Sequence, residues 1–148
     1  MISRLKKIFS SSADSAPRPK PGQPGYKPGA ILFVDDEPEW RLIPGITLTE
    51  AGYEVITAKD VFETGLQTYG VKLDLIILDV NLGSEKAPGL MRLLKEGHPG
   101  VPIVLYTALE QSDAAVQTLM KEGATAYLRK GAMNNLLDDV NRIFAKSN

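Results

Sequence analysis

The sequence predicts an α/β fold, a doubly wound parallel sheet of five strands built from five βα units. Three observations lead to it. Short runs rich in Val, Ile, Leu and Tyr recur five times between residues 30 and 130, and their length and composition favour strands. Stretches of helical length fall between them. Three of the runs are nearly continuous apolar, as expected for parallel strands buried on both faces.

In chain order, residues 1–29 read as a basic, Pro-rich extension and residues 30–148 as the folded domain. Ile2, Leu5, Ile8 and Phe9 share one face of a short helix, with Arg4, Lys6 and Lys7 largely elsewhere. So short a helix is marginal in water and needs a partner, a scaffold or an anionic membrane to order it; a disordered tail is the alternative. Residues 10–29, SSSADSAPRPKPGQPGYKPG, hold five of the ten prolines and form a flexible linker. The first strand is AILFVD (30–35), followed by a helix near 38–51. YEVIT (53–57) precedes a helix near 60–70, with Asp60 as its N-cap. LDLIILD (73–79) leads to a helix near 87–97, PIVLYTA (102–108) to 110–122, and TAYLRK (125–130) to 132–146. Gly52, Gly97 and Gly123 stand as C-terminal stops. Leu136, Leu137, Val140, Ile143 and Phe144 make one apolar face of the last helix. Right-handed crossovers leave few topologies; the commonest for five strands is order 2-1-3-4-5, the flavodoxin-like arrangement, with its switch point between strands one and three.

Composition excludes several chemistries. The lack of cysteine rules out disulfides, thiol nucleophiles and thiolate metal sites, and the single histidine rules out a multi-histidine metal site. The longest apolar run, Leu73–Leu78, is broken by Asp74 and too short to span a bilayer. No apolar signal-peptide core follows the basic start, so a cytoplasmic location is expected. The net charge of −1 conceals an asymmetry: residues 1–29 carry six bases and one acid, a net +5, which leaves −6 for residues 30–148. An acidic domain is a poor ligand for nucleic acid, and no such partner is expected.

Ligands in open parallel sheets bind at the carboxyl ends of the strands. The polar residues fall there: Asp35 and Asp36 end strand one, Asp79 strand three, Thr107 strand four and Lys130 strand five. In order 2-1-3-4-5, three carboxylates meet in one cleft with a hydroxyl and an ammonium at its edge. Close carboxylates repel unless a cation neutralises them. An all-oxygen donor set with a phosphate group suits Mg2+, and Lys130 and Thr107 offer donors to phosphoryl oxygens. The pattern is built for phosphoryl transfer, with a carboxylate as nucleophile.

Four segments carry a more specific resemblance. ILFVDDEP, LDLIILDVNLG, VLYTA and GATAYLRK, in this order, resemble the response-regulator receiver family over about residues 30–146. The resemblance implies that Asp79 is the phosphoacceptor. It implies Asp36 as a direct Mg2+ ligand, Asp35 placing it and holding metal-bound water, and Asn81 giving a backbone carbonyl to the metal, with Asp79 completing the metal set. Thr107 would bond one phosphoryl oxygen and Lys130 another, with Ala108 leaving room. Tyr127 would change rotamer as Thr107 moves, coupling the site to an output face of helix four, strand five and helix five.

The chain departs from that family at four places. Gly83 stands where a proline is usual, and SEKAP makes the loop after Asp79 about two residues longer, with the proline displaced to Pro88. Gly131 replaces a proline that usually follows the lysine in a cis linkage, so Lys130 is expected to be more mobile. Pro44–Gly45 should kink the first helix, the family's main surface for histidine-bearing partners. Leu109 and Asn81 occupy positions that modulate acyl-phosphate hydrolysis in the family. His98, in a GHPG turn, reads as a surface residue, and Trp40 as a packing residue near the cleft.

The leading functional expectation is a single-domain response regulator, not an enzyme, phosphorylated by a histidine kinase or histidine phosphotransfer protein and signalling by protein contacts. The alternative is a non-phosphorylated adaptor tethered through residues 1–9. A third reading, an aspartate-nucleophile phosphatase, lacks its usual second acid, since Asn81 stands two residues after Asp79.

Overall fold

The protein is described by a computed structural model covering residue 24 and residues 29–80, 87–131 and 133–146. The basic start, most of the linker, Asn81 and the lengthened loop after Asp79 lie outside the described residues.

The apolar runs become five parallel strands in order β2-β1-β3-β4-β5. They are β1 (Ala30–Val34), β2 (Glu54–Ala58), β3 (Leu75–Leu78), β4 (Ile103–Thr107) and β5 (Ala126–Arg129). The three inner strands, β1, β3 and β4, are buried at every residue, whereas the edge strands β2 and β5 are mostly half-buried. This is the physical origin of the continuous apolar runs: an inner strand has a helix layer on each face and no side left for polar residues.

Five helices supply those layers: α1 (Pro38–Glu50), α2 (Val61–Thr68), α3 (Ala87–Gly97), α4 (Ala114–Lys121) and α5 (Met133–Lys146). One core packs Leu32, Val34, Ile76, Leu78, Ile103 and Leu105 against Leu90, Met91 and Leu94 of α3 and Val116 and Leu119 of α4. The other packs Ile31, Phe33, Leu75, Ile77, Val104 and Tyr106 against Leu48 of α1 and Leu136, Val140 and Phe144 of α5. The strict alternation of strand residues between the two cores follows from the two-residue period of a strand. α5 thus buries the face expected from its periodicity, and Phe144 stacks on Tyr53 with ring centroids 5.1 Å apart.

Local signals explain most ends. Asp60 caps α2, its carboxylate accepting from the Glu63 N–H at 2.8 Å. Asp74, the acid that interrupts the third apolar run, accepts from the Ala30 N–H at 2.8 Å, and its own N–H donates to the Ala30 carbonyl at 2.8 Å. Two details differ from expectation. α4 starts at Ala114, not near 110, because the Asp113 carboxylate accepts from the Ala115 N–H and caps the helix there. Gly97 is the last residue of α3, and the left-handed turn falls on Gly100. α1 runs as one helix through Pro44, which is buried. The displaced Pro88 sits in the first turn of α3, where proline costs no hydrogen bond. No helix among the described residues is long and apolar enough to cross a membrane.

The register sets up the site. Val34 pairs with Leu78, and the Asp79 N–H bonds the Val34 carbonyl at 2.9 Å. The next residues on both strands, Asp35 and Asp79, therefore leave the sheet side by side. Ile77, fully buried between the two helix layers, should cost about 3 kcal/mol when cut to Ala. Leu93→Ala, at a position 53% exposed, should stay within about 0.5 kcal/mol. Urea unfolding of the two variants checks the contrast.

Candidate functional site

The switch-point cleft brings together what the strand ends promised. Asp35, Asp36 and Asp79 each place a carboxylate oxygen so that all three lie within 4.8 Å of one another. Asp35 and Asp79 are buried and Asp36 is exposed. The Asp36 side therefore opens the cluster to solvent.

Asp35 is held on every side. Its Oδ1 accepts from the Glu37 N–H at 2.9 Å, an Asx-type turn that redirects the chain from β1 into α1. Its carbonyl accepts from the Arg41 guanidinium at 2.6 Å. Its Oδ2 lies 2.7 Å from the Lys130 Nζ. The α1 N-cap is Glu37, which makes no side-chain cap. Asp35 and Asp36 thus do not cap α1 in the ordinary way; Asp35 has a turn-forming role in addition to its place in the cluster.

Lys130 reverses an expectation. Gly131 takes φ 108°, a left-handed conformation open to glycine, and no cis peptide occurs among the described residues. The lysine is buried, not at the edge of the cleft. Its side chain is 4% exposed, with Nζ 2.7 Å from Asp35 Oδ2 and 3.3 Å from Asp79 Oδ1. Its N–H bonds the Thr107 carbonyl at 2.9 Å. Burying an ammonium is costly, and here two carboxylates compensate it. Nζ also sits 4.9 Å from the ring centroid of Trp40.

Thr107 is fully buried rather than lying on the rim. Its Oγ accepts from the Leu109 N–H at 3.1 Å. The Leu109 carbonyl in turn accepts from the Tyr127 hydroxyl. A single residue therefore links the hydroxyl at the end of β4 to the aromatic side chain of β5. Ala108 is exposed beside them. Asn81 lies outside the described residues.

Sequence reasoning missed two participants, Arg41 and Tyr106. Arg41 is one turn into α1 and reaches back to the Asp35 carbonyl. Tyr106 lies buried beside the cluster: burial first, and then the Asp35 carboxylate, push its phenol pKa up, while a hydrogen bond from the Gly131 backbone pulls it partly back. Trp40 packs edge-on against Tyr106 at 6.1 Å. The signal available for Tyr106 was its strand parity, which places it on the Phe33 side of the sheet. His98 is half-buried at the end of α3, where burial lowers its pKa.

Chemically, three carboxylates face one ammonium, leaving a net negative pocket with oxygen donors only. That donor set fits a hard divalent cation such as Mg2+, with Asp35, Asp36 and Asp79 able to hold it.

A doubly wound sheet with an acid cluster and a lysine at its switch point defines a class of phosphoryl-accepting signalling domains. The sequence matches the family described as "Response regulator receiver domain" over residues 31–141, and the chain belongs to that family. It is 31% identical over 118 residues to the transcriptional regulatory protein GlrR of Escherichia coli, covering 77% of this chain and 26% of that protein. It is 36% identical over 104 residues to the transcriptional regulatory protein CusR of Escherichia coli, covering 68% and 44%. The chain thus spans less than half the length of these relatives. Among solved structures it resembles a response regulator from Thermotoga maritima with a TM-score of 0.70 and 27% identity, covering 81% of this chain and 99% of that one. Receiver domains of two-component systems typically bind Mg2+ at an acidic pocket and act as signalling modules rather than enzymes.

Lys130→Met removes the cation that pairs with both Asp35 and Asp79 and leaves buried like charges facing each other. Unfolding in chelator should show a loss of about 3 kcal/mol. Titration with Mg2+ should then restore more stability to the variant than to the parent.

Proposed function

We propose that this receiver accepts one phosphoryl group on Asp79 from a phosphohistidine of a histidine kinase or phosphotransfer protein, and signals through protein contacts. The observation that carries the reading is the buried Asp79 carboxylate, with Lys130 Nζ at 3.3 Å and two further carboxylates within 4.8 Å. In the transfer, a P–O bond forms to an Asp79 oxygen as the donor's P–N bond breaks, and the released imidazole nitrogen keeps the electron pair and takes up a proton. Asp79 becomes an acyl phosphate. Bound Mg2+ would neutralise charge on the phosphoryl oxygens. Asp35 and Asp36 hold that ion together with Asp79 and, by family resemblance, the Asn81 carbonyl. Lys130 turns from Asp79 to a phosphoryl oxygen. Thr107 gives its hydroxyl to another, and exposed Ala108 leaves room for the group.

Signalling follows from the Leu109 link. A Thr107 hydroxyl drawn toward the phosphoryl group releases the Leu109 N–H. The carbonyl of the same residue holds Tyr127. The switch is thereby carried to β5 and its neighbours α4 and α5, which form the proposed output face. The donor would meet α1. There Leu42, Ile43 and Ile46 are exposed beside a groove of about 550 Å³ that also includes Val55 and Thr57. The acidic balance of residues 30–148 favours proteins over nucleic acid as output partners, in a cytoplasmic regulator whose folded domain is 30–148 and whose extension is 1–29.

Incubation with Mg2+ and acetyl phosphate followed by intact mass measurement tests the reading. One added phosphoryl group is expected, not acquired when chelator replaces Mg2+ and absent in Asp79→Asn. An unmodified parent protein under saturating donor would instead favour a phosphorylation-independent adaptor.

A further inference from the structure

Lys130 must be held through the transfer step, and the two carboxylates that hold it in this structure are the groups a metal ion would claim. A partner that does not compete for the metal is needed. The face of an indole ring meets that requirement: it attracts an ammonium through its quadrupole, accepts no proton and binds no Mg2+.

We infer that Trp40 is a positioning residue for Lys130, with Tyr106 as its anchor, and that this aromatic bracket takes the place of the proline hinge that the chain lacks at Gly131. The inference rests on the reading of Asp79 as the phosphoryl acceptor. The geometry is specific. Lys130 Nζ lies 4.9 Å from the Trp40 ring centroid. Trp40 stands in the first turn of α1, its N–H bonded to the Glu37 carbonyl at 3.1 Å. Its ring meets Tyr106 at 6.1 Å and 77°. Tyr106 meets Phe33 at 5.9 Å and 76°, and both are buried within the core under α1 and α5. The platform is thus backed by an edge-to-face series of rings rooted in β1 and β4. The Gly131 backbone hydrogen-bonds Tyr106, so the same aromatic residue also ties down the peptide after the lysine. One cluster braces both ends of Lys130, its ammonium and its following backbone.

Trp40 alone would be an ordinary core residue. The distinguishing feature is that its free face lies against the site's own cation, not against another apolar group. A ring that only filled space would affect stability and metal binding together. A ring that positions the lysine affects transfer after the metal is bound.

The test uses the full chain with Mg2+ and acetyl phosphate. Trp40→Leu should phosphorylate about five- to tenfold more slowly at saturating Mg2+. Its Mg2+ affinity should stay within about twofold of the parent, since no metal ligand has been touched. Trp40→Phe, which keeps a π face, should recover most of the rate. A Trp40→Leu protein that transfers at the parent rate overturns the proposal. So does a rate loss that Phe fails to rescue, or one accompanied by an equal loss of Mg2+ binding. A second readout needs no phosphodonor. Trp40 is the sole tryptophan, so its emission should change in Lys130→Met; identical spectra overturn the contact itself. If the parent is never phosphorylated, the reading of Asp79 fails, while the emission comparison still decides whether Trp40 holds the lysine.

Discussion

One ammonium buried between two carboxylates is the constraint on which the rest of the site depends. Lys130 reaches Asp35 and Asp79 from the far edge strand, passing the end of β4. An ion cluster of this kind is tolerated away from water only where each charge is compensated and its lone pairs are engaged. Here the compensation comes from three strands, so the site exists only when the sheet has closed in the order 2-1-3-4-5. The Val34–Leu78 register aligns two acids, and the Lys130 N–H to Thr107 carbonyl bond brings in the cation. A shift of one residue in the first pairing would turn an acid into the core, and in the second would carry Lys130 away from the cleft.

Several groups do structural and chemical work at once. Asp35 turns the chain into α1 with one oxygen and holds Lys130 with the other. Leu109 bonds Thr107 through its N–H and Tyr127 through its carbonyl. Tyr106 fills the core and receives the Gly131 backbone. Such double use ties Thr107 at the end of β4 to Tyr127 of β5 through one residue. Lys130 itself is held by long-range contacts to Asp35 and Asp79.

The fold was legible because its information is local and redundant. Runs such as LIIL and IVLYT favour buried strands by length and composition, and Asp60 and the apolar face of α5 announce themselves by spacing. The carboxylate cluster was legible for the same reason, since each acid directly follows an apolar run. What stayed hidden depends on contacts across long sequence separation. The burial of Lys130 is set by Asp35, Asp79 and Trp40, and neither composition nor period says that these converge. Thr107 was placed on the rim because a strand-end hydroxyl commonly lies there; the Leu109 N–H instead draws it inward. The start of α4 was read too early because residues 110–112 lack a breaker, and only the Asp113 cap shows where the helix begins. Pro44 broke the local rule for helices without breaking α1.

The cluster is incomplete as it stands. Three carboxylates against one ammonium leave negative charge in a mostly buried pocket, and Lys130 can offset only part of it. A divalent cation entering beside exposed Asp36 would complete the balance, and in doing so would weaken the carboxylates' hold on the lysine. A phosphoryl group on Asp79 would then offer that lysine a new anion. Under the proposed function, Lys130 would then have a second arrangement facing phosphate beside the one facing carboxylates, and the occupant of the pocket would select between them. A two-state element biased by ligand charge is what a signalling switch requires, and here it would follow from the shortage of two positive charges.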